Sequence, residues 1–192
     1  MQTAPTPDYL FVLVSIIIGL GISRVLTGVA GVVVHWRRVR LYWVWVIAAL
    51  LVFLAHVQLW WGTFSVGETV AKGSFLDFTL FLLSPIALYL SASVIIPDFE
   101  RDDERVDLRD YFFENHRGYY VFLALVPLLN GIRSLVISRD PLWIPARPYE
   151  IAFFLLMASG AAVRREGYQK LLAVVSTAIF ALFIITVGSK AG

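Results

Sequence analysis

Six long apolar stretches, with almost no charge inside them, decide what this chain can fold into. They cover residues 9–34, 41–62, 75–96, 119–138, 149–163 and 168–188. At 1.5 Å per residue most of them are long enough to cross about 30 Å of hydrocarbon. A backbone inside lipid must satisfy its own N–H and C=O groups, so stretches of this kind become helices. The expected fold is all-α: a polytopic transmembrane bundle of six spans, forming one integral membrane domain over residues 1–192. Composition agrees, with 59% hydrophobic residues, 16% charged residues and a mean hydropathy of +0.76. Little chain is left for a soluble domain. The expected location is a cell membrane, crossed several times, of the bacterial inner-membrane kind. Residues 1–8 carry no Lys or Arg. The first stretch is also too long for a signal-peptide core, so it reads as a retained helix.

The loops give an orientation. With the N-terminus outside, the inner segments hold Arg37, Arg38, Arg40, Arg101, Arg105, Arg109, Arg117, Arg164, Arg165 and Lys170. The outer segments hold Lys72, Arg139, Arg147 and Lys190. Basic residues stay on the cytoplasmic side, so ten against four predicts both termini outside. The segment 97–118 is the long inner connection. Its acidic run Asp102, Asp103 and Glu104 reads as a solvated linker. Asp107 is a fitting N-cap for a short helix over 108–113, lying on the membrane or on the bundle.

Several function classes are excluded. The chain has no cysteine, which removes disulfides, thiolate metal sites and cysteine nucleophiles. A net charge of +2 and a pI near 9.0 do not point to nucleic acid, because the Arg residues gather at span ends. His35 and His116 fall at or beyond the inner interface, so His56 has no partner for a haem across the core. No lysine lies in a span to form a Schiff base. Zinc-protease, phosphate-loop and nucleophile-elbow motifs are absent. No catalytic residue, metal or cofactor is therefore assigned.

What remains is polar chemistry inside the spans. Helix one repeats Ser15, Gly19, Ser23, Thr27 and Gly31 at every fourth position, widened by Gly21 and Gly28. Small residues let helix backbones approach closely, so this face is expected to pack inside the bundle, with a subunit contact as the alternative. Arg24 lies beside it near mid-span. A charge there costs at least ~2.5 kcal/mol, so it must find a partner. No acid sits at its depth in another span, leaving Tyr89, Ser91 and Asn130, or an anion or lipid headgroup, as candidates. A second group lies further out: His56, Asn130, Arg133, Glu150 and Asp77. Arg133 is expected to pair with Glu150 or Asp77, and His56 to stack on Trp60, one turn away. The sharper reading is an outward cavity lined by His56, Asn130, Arg133 and Glu150. Pro85 and Pro127 interrupt helices three and four, where each frees a carbonyl one turn back.

These features lead to a small channel or transporter, self-associating in the lipid bilayer, with the intramembrane polar residues lining or supporting a path. The alternative is a non-transporting sensor, assembly factor or lipid-binding subunit. A third reading is an intramembrane enzyme acting on a lipid or quinone with His56 as acid–base.

Overall fold

The computed structural model describes residues 7–71, 75–99, 105–136 and 144–187. Six helices carry the fold: α1 Pro7–Val34, α2 Trp43–Ala71, α3 Phe75–Ile95, α4 Leu108–Val136, α5 Arg147–Ala162 and α6 Glu166–Thr186. Two two-residue strands, β1 Val39–Arg40 and β2 Val106–Asp107, pair in parallel. Among the described residues, five helices are long and apolar enough to cross a membrane, namely all but α5. Large apolar side chains such as Leu20, Leu50, Leu155, Leu171 and Ile185 point outward. A soluble monomer does not display apolar surface on this scale, whereas lipid welcomes it.

Cross-helix contacts show an up-and-down bundle. Phe11 meets Phe64 and Gly21 meets His56, so α1 and α2 run antiparallel. Trp45 reaches the far end of α3 at Ile95. Arg133 lies over Phe81, Ser84 bonds Asn130, and Ser91 bonds the Tyr119 carbonyl, so α4 returns along α3. Arg147 bonds Ser134 while Gly160 packs on Tyr120, which lays α5 along about four turns of α4. Thr186 bonds Tyr149 and Tyr168 bonds Ser159, which brings α6 back along α5. One end of the bundle gathers residues 35–42, 96–99, 105–107 and 163–165, rich in Arg. The other end holds the start of α3, the end of α4 and the start of α5.

Three expectations change. Helix α4 begins at Leu108 rather than 119. No proline or turn sequence lies between 113 and 119, so the short helix expected over 108–113 is the first part of α4. Its N-cap is as expected: Asp107 Oδ1 accepts from the backbone N–H of Arg109 at 2.9 Å. Helix α2 runs on to Ala71, past the predicted end at 62. The small-residue face of α1 is turned the other way. Ser15, Gly19, Ser23 and Thr27 are exposed, while Val14, Ile18, Gly21, Val25 and Gly28 face the bundle. The packed places for small residues are Gly21, Gly28 and, of the predicted face, Gly31, where a Cβ would collide with His56, Ile96 and Phe99 respectively. The acidic run at 102–104 lies outside the described residues.

The Arg-rich end is held by side chains that satisfy helix carbonyls. Pro97 ends α3 because it lacks an N–H and restricts the residue before it. The last carbonyls of α3 are then without intrahelical partners. Trp45 Nε1 donates to Ile95 O at 2.8 Å. The Tyr111 hydroxyl shares its proton between Val94 O and Ile96 O, each at 3.1 Å. Arg24 Nη2 donates to Ile96 O at 2.6 Å. The end of α5 is closed in the same manner. Gln169 Nε2 donates to Gly160 O at 3.0 Å and Val163 O at 2.6 Å, and its Oε1 accepts from Tyr120 at 2.7 Å.

Candidate functional site

The polar residues singled out in the sequence fall into three places. The first is the end of α3. Arg24 extends toward the Arg-rich end and meets Asp98 Oδ1 at 2.7 Å, as well as Ile96 O. The acid is not one from a span, in keeping with the sequence: Asp98 comes from the segment after α3. Long arginine side chains move their charge toward the interface in this way. Ser91 and Asn130, considered as its partners, are engaged elsewhere.

The second place is the α1–α2 contact. His56 is completely buried, and its Nδ1 lies 2.8 Å from Val52 O. The carbonyl partner makes Nδ1 a donor. Nε2 has no hydrogen-bond partner among the described residues and faces the Cα of Gly21. Trp60 does not stack on it; it packs edge-on to Phe64 at 4.8 Å. The imidazole is enclosed by its own helix and α1, so the expected cavity joining His56 to Arg133 and Glu150 is not formed by these side chains.

The third place is the seam between α3 and α4, toward the end away from the Arg-rich connections. Asp77, Phe81 and Ser84 follow one face of α3 at helical spacing. Asp77 is buried at 1% exposure in the first turn of its helix. Arg133 is in the last turn of α4, with its guanidinium carbon 5.9 Å from the centroid of Phe81. One turn along, Ser84 Oγ donates to Asn130 Oδ1 at 3.1 Å. An acid at a helix start and a base at a helix end both agree with the helix dipole, worth about 0.3–1 kcal/mol each.

Glu150 does not pair with Arg133. Its carboxylate is taken by Arg147 Nη1 at 2.8 Å, and Arg147 Nη2 donates to Ser134 Oγ at 3.0 Å. Arg147 is itself buried, one residue before Pro148 at the start of α5. Gly131 of α4 lies beside the pair: a Cβ there would make ordinary contact, 3.6 Å from Arg147 Nη1 and 3.9 Å from Glu150 Oε2. Sequence reasoning assigned Arg147 to an outer loop. Its signal was the following proline, a frequent first-turn residue of a helix. With Glu150 occupied, Arg133 makes no ion pair among the described residues. Its Nε is buried without a hydrogen-bond partner.

Chemically, the seam offers a guanidinium on an aromatic face, a buried carboxylate two turns above Ser84, and an amide. It can hold or relay a small polar species, and it has no nucleophile–base pair. No family model matches this chain, and no curated protein or solved structure proved similar to it.

Proposed function

We propose that the protein is a small integral membrane channel or transporter, working as a homo-oligomer, with the α3–α4 seam as the polar part of its path. One observation carries this reading: the half-buried Arg133 guanidinium lies over Phe81, with its Nε buried, and makes no ion pair among the described residues. A charge in an apolar bundle is costly and is kept where it does work. Pro85 and Pro127 break the hydrogen-bond ladders of the same two helices, which supports a path there. The charge at Arg133 favours an anion. Purified protein in liposomes is expected to pass a small anion such as chloride or nitrate. Arg133→Leu should lower that flux at least about tenfold, the equivalent of one ~1.4 kcal/mol interaction. Arg133→Lys should retain part of it. Liposomes that stay tight with the wild-type protein, at several protein-to-lipid ratios, overturn the reading.

A second reading is a non-transporting assembly factor or lipid-binding subunit. The outward Ser15, Gly19, Ser23 and Thr27 of α1 favour it, since a small face pointing at lipid suits another helix. The same face serves the homo-oligomer. The enzyme reading loses its acid–base, because His56 is sealed between α1 and α2.

The proposed topology has six crossings and both termini outside. It rests on the basic residues at one end of the bundle and on α5 running along α4. Five crossings would instead separate the termini. Alkaline-phosphatase fusions after Gly192 and within 63–74 should be active, and one within 100–110 inactive. An inactive fusion after Gly192, with an active cytoplasmic reporter there, refutes it.

A further inference from the structure

At the Arg-rich end, the starts of α4 and α6 border an open cleft of about 370 Å³ lined by Arg109, Asp110, Phe113, Glu114, Arg164 and Glu166. Most of its charges are used internally. Arg109 holds Glu166 through Nε at 3.2 Å and Nη2 at 2.7 Å, and Asp110 at 3.2 Å. Glu166 also receives Lys170 at 2.8 Å. The Arg109 guanidinium lies 5.4 Å from the Phe113 ring centroid. Two lining charges remain, Glu114 and Arg164. Both are exposed, and neither forms an ion pair among the described residues, with each other or with a third group. Behind the Phe113 wall sits Tyr42, 6.2 Å between ring centroids, with a buried hydroxyl that has no hydrogen-bond partner among the described residues.

A cleft in which, among the described residues, one cation and one anion stay unpaired beside an aromatic wall complements a zwitterion. Its depth narrows the choice. Arg164 immediately precedes α6, and Glu114 lies under two turns into α4, which is headgroup level for helices that enter lipid here. We propose that this cleft binds the headgroup of an ethanolamine phospholipid, with Arg164 on the phosphate and Glu114 on the ammonium. A primary ammonium can donate charge-assisted hydrogen bonds to a carboxylate. The quaternary ammonium of choline cannot, so the cleft discriminates between the two headgroups. This site is separate from the α3–α4 seam and does not depend on transport.

The test uses the full chain in nanodiscs containing phosphatidylglycerol with either phosphatidylethanolamine or phosphatidylcholine. Retained lipid is counted by native mass spectrometry after mild detergent extraction. Ethanolamine lipid should be retained about tenfold over choline lipid, and Arg164→Gln and Glu114→Gln should each abolish that preference. Both positions are exposed and outside the ion pairs, so the variants should melt with the wild type in choline discs. Arg164→Lys should keep the preference. Equal retention of the two lipids, or an unchanged preference in both neutral variants, overturns the proposal. Binding of free millimolar phosphoethanolamine in lipid-free detergent, with no preference for ethanolamine lipid in the discs, would also overturn it, since a soluble headgroup would then be the occupant.

Discussion

Gly21→Ala is expected to destabilise the protein by about 3 kcal/mol, the upper part of the range for overpacking a tight interior. The added methyl would overlap Nε2 of His56 and stand 2.5 Å from its Cδ2 and 2.8 Å from its Cε1. The ring has no easy escape, because Nδ1 is held to Val52 O and the side chain is completely buried. Either the imidazole leaves its hydrogen bond, or α1 moves off α2. His56→Ala alone should also cost ~2–4 kcal/mol, by leaving a cavity against α1. Combined, the two changes should cost less than their sum by 1 kcal/mol or more, on the scale of couplings between touching residues. Thermal unfolding in one detergent, for the four proteins of the cycle, measures this. Additive losses would mean that the Gly21–His56 contact is not where the strain arises.

Gln169→Leu should have an effect of similar size for a different reason. The leucine nearly matches the volume of glutamine but makes none of its three bonds, to Tyr120, Gly160 and Val163. Gln169 is completely buried and Tyr120 is 3% exposed, so water does not replace the lost partners. A buried polar group left unsatisfied costs ~1–3 kcal/mol. Interhelical hydrogen bonds in membranes are weaker on average, ~0.6 kcal/mol, because the unfolded chain in lipid also finds partners. Three bonds at one residue, two of them closing a helix end, put the expected loss near ~3 kcal/mol. Adding Tyr120→Phe to Gln169→Leu should restore part of it, since the stranded hydroxyl is then gone. A loss under ~0.5 kcal/mol, or no recovery in the double variant, would show that the network carries no stability.

The helical character and the positions of the apolar stretches were legible because lipid leaves a chain so few options. Pro7–Val34 and Phe75–Ile95 fall close to the stretches 9–34 and 75–96. The Asp107 cap was legible as well, since capping is local. The start of α4 was not. Its first two turns hold Arg109, Asp110, Glu114 and Asn115, and a polar helix that leaves the membrane looks like a loop in a hydropathy reading. The outward turn of Ser15, Gly19, Ser23 and Thr27 was missed because two small-residue faces coexist on α1. Periodicity identifies both but does not say which one the bundle uses. Partners of charged groups were the least legible. Asp98 flanks α3 in sequence, and only the fold brings it to Arg24; Arg147 and Glu150 are an i,i+3 pair, hidden because the sequence puts Arg147 in a loop and not in the first turn of α5. Gln169, Trp45 and Tyr111 gave no signal beyond being polar or aromatic near an interface.

The closure of the two helix ends has a bearing on how the chain is made. The α3 carbonyls are satisfied by Arg24 and Trp45, both synthesised earlier, and by Tyr111, which follows within one helical turn of α4. The first half of the molecule can therefore seal itself as it leaves the ribosome and enters the lipid. The end of α5 has no such supply upstream for Gly160 and Val163, whose amide donor belongs to α6. A nascent chain that stops after α5 holds open carbonyls at the membrane surface, and the last helix completes the molecule by covering them.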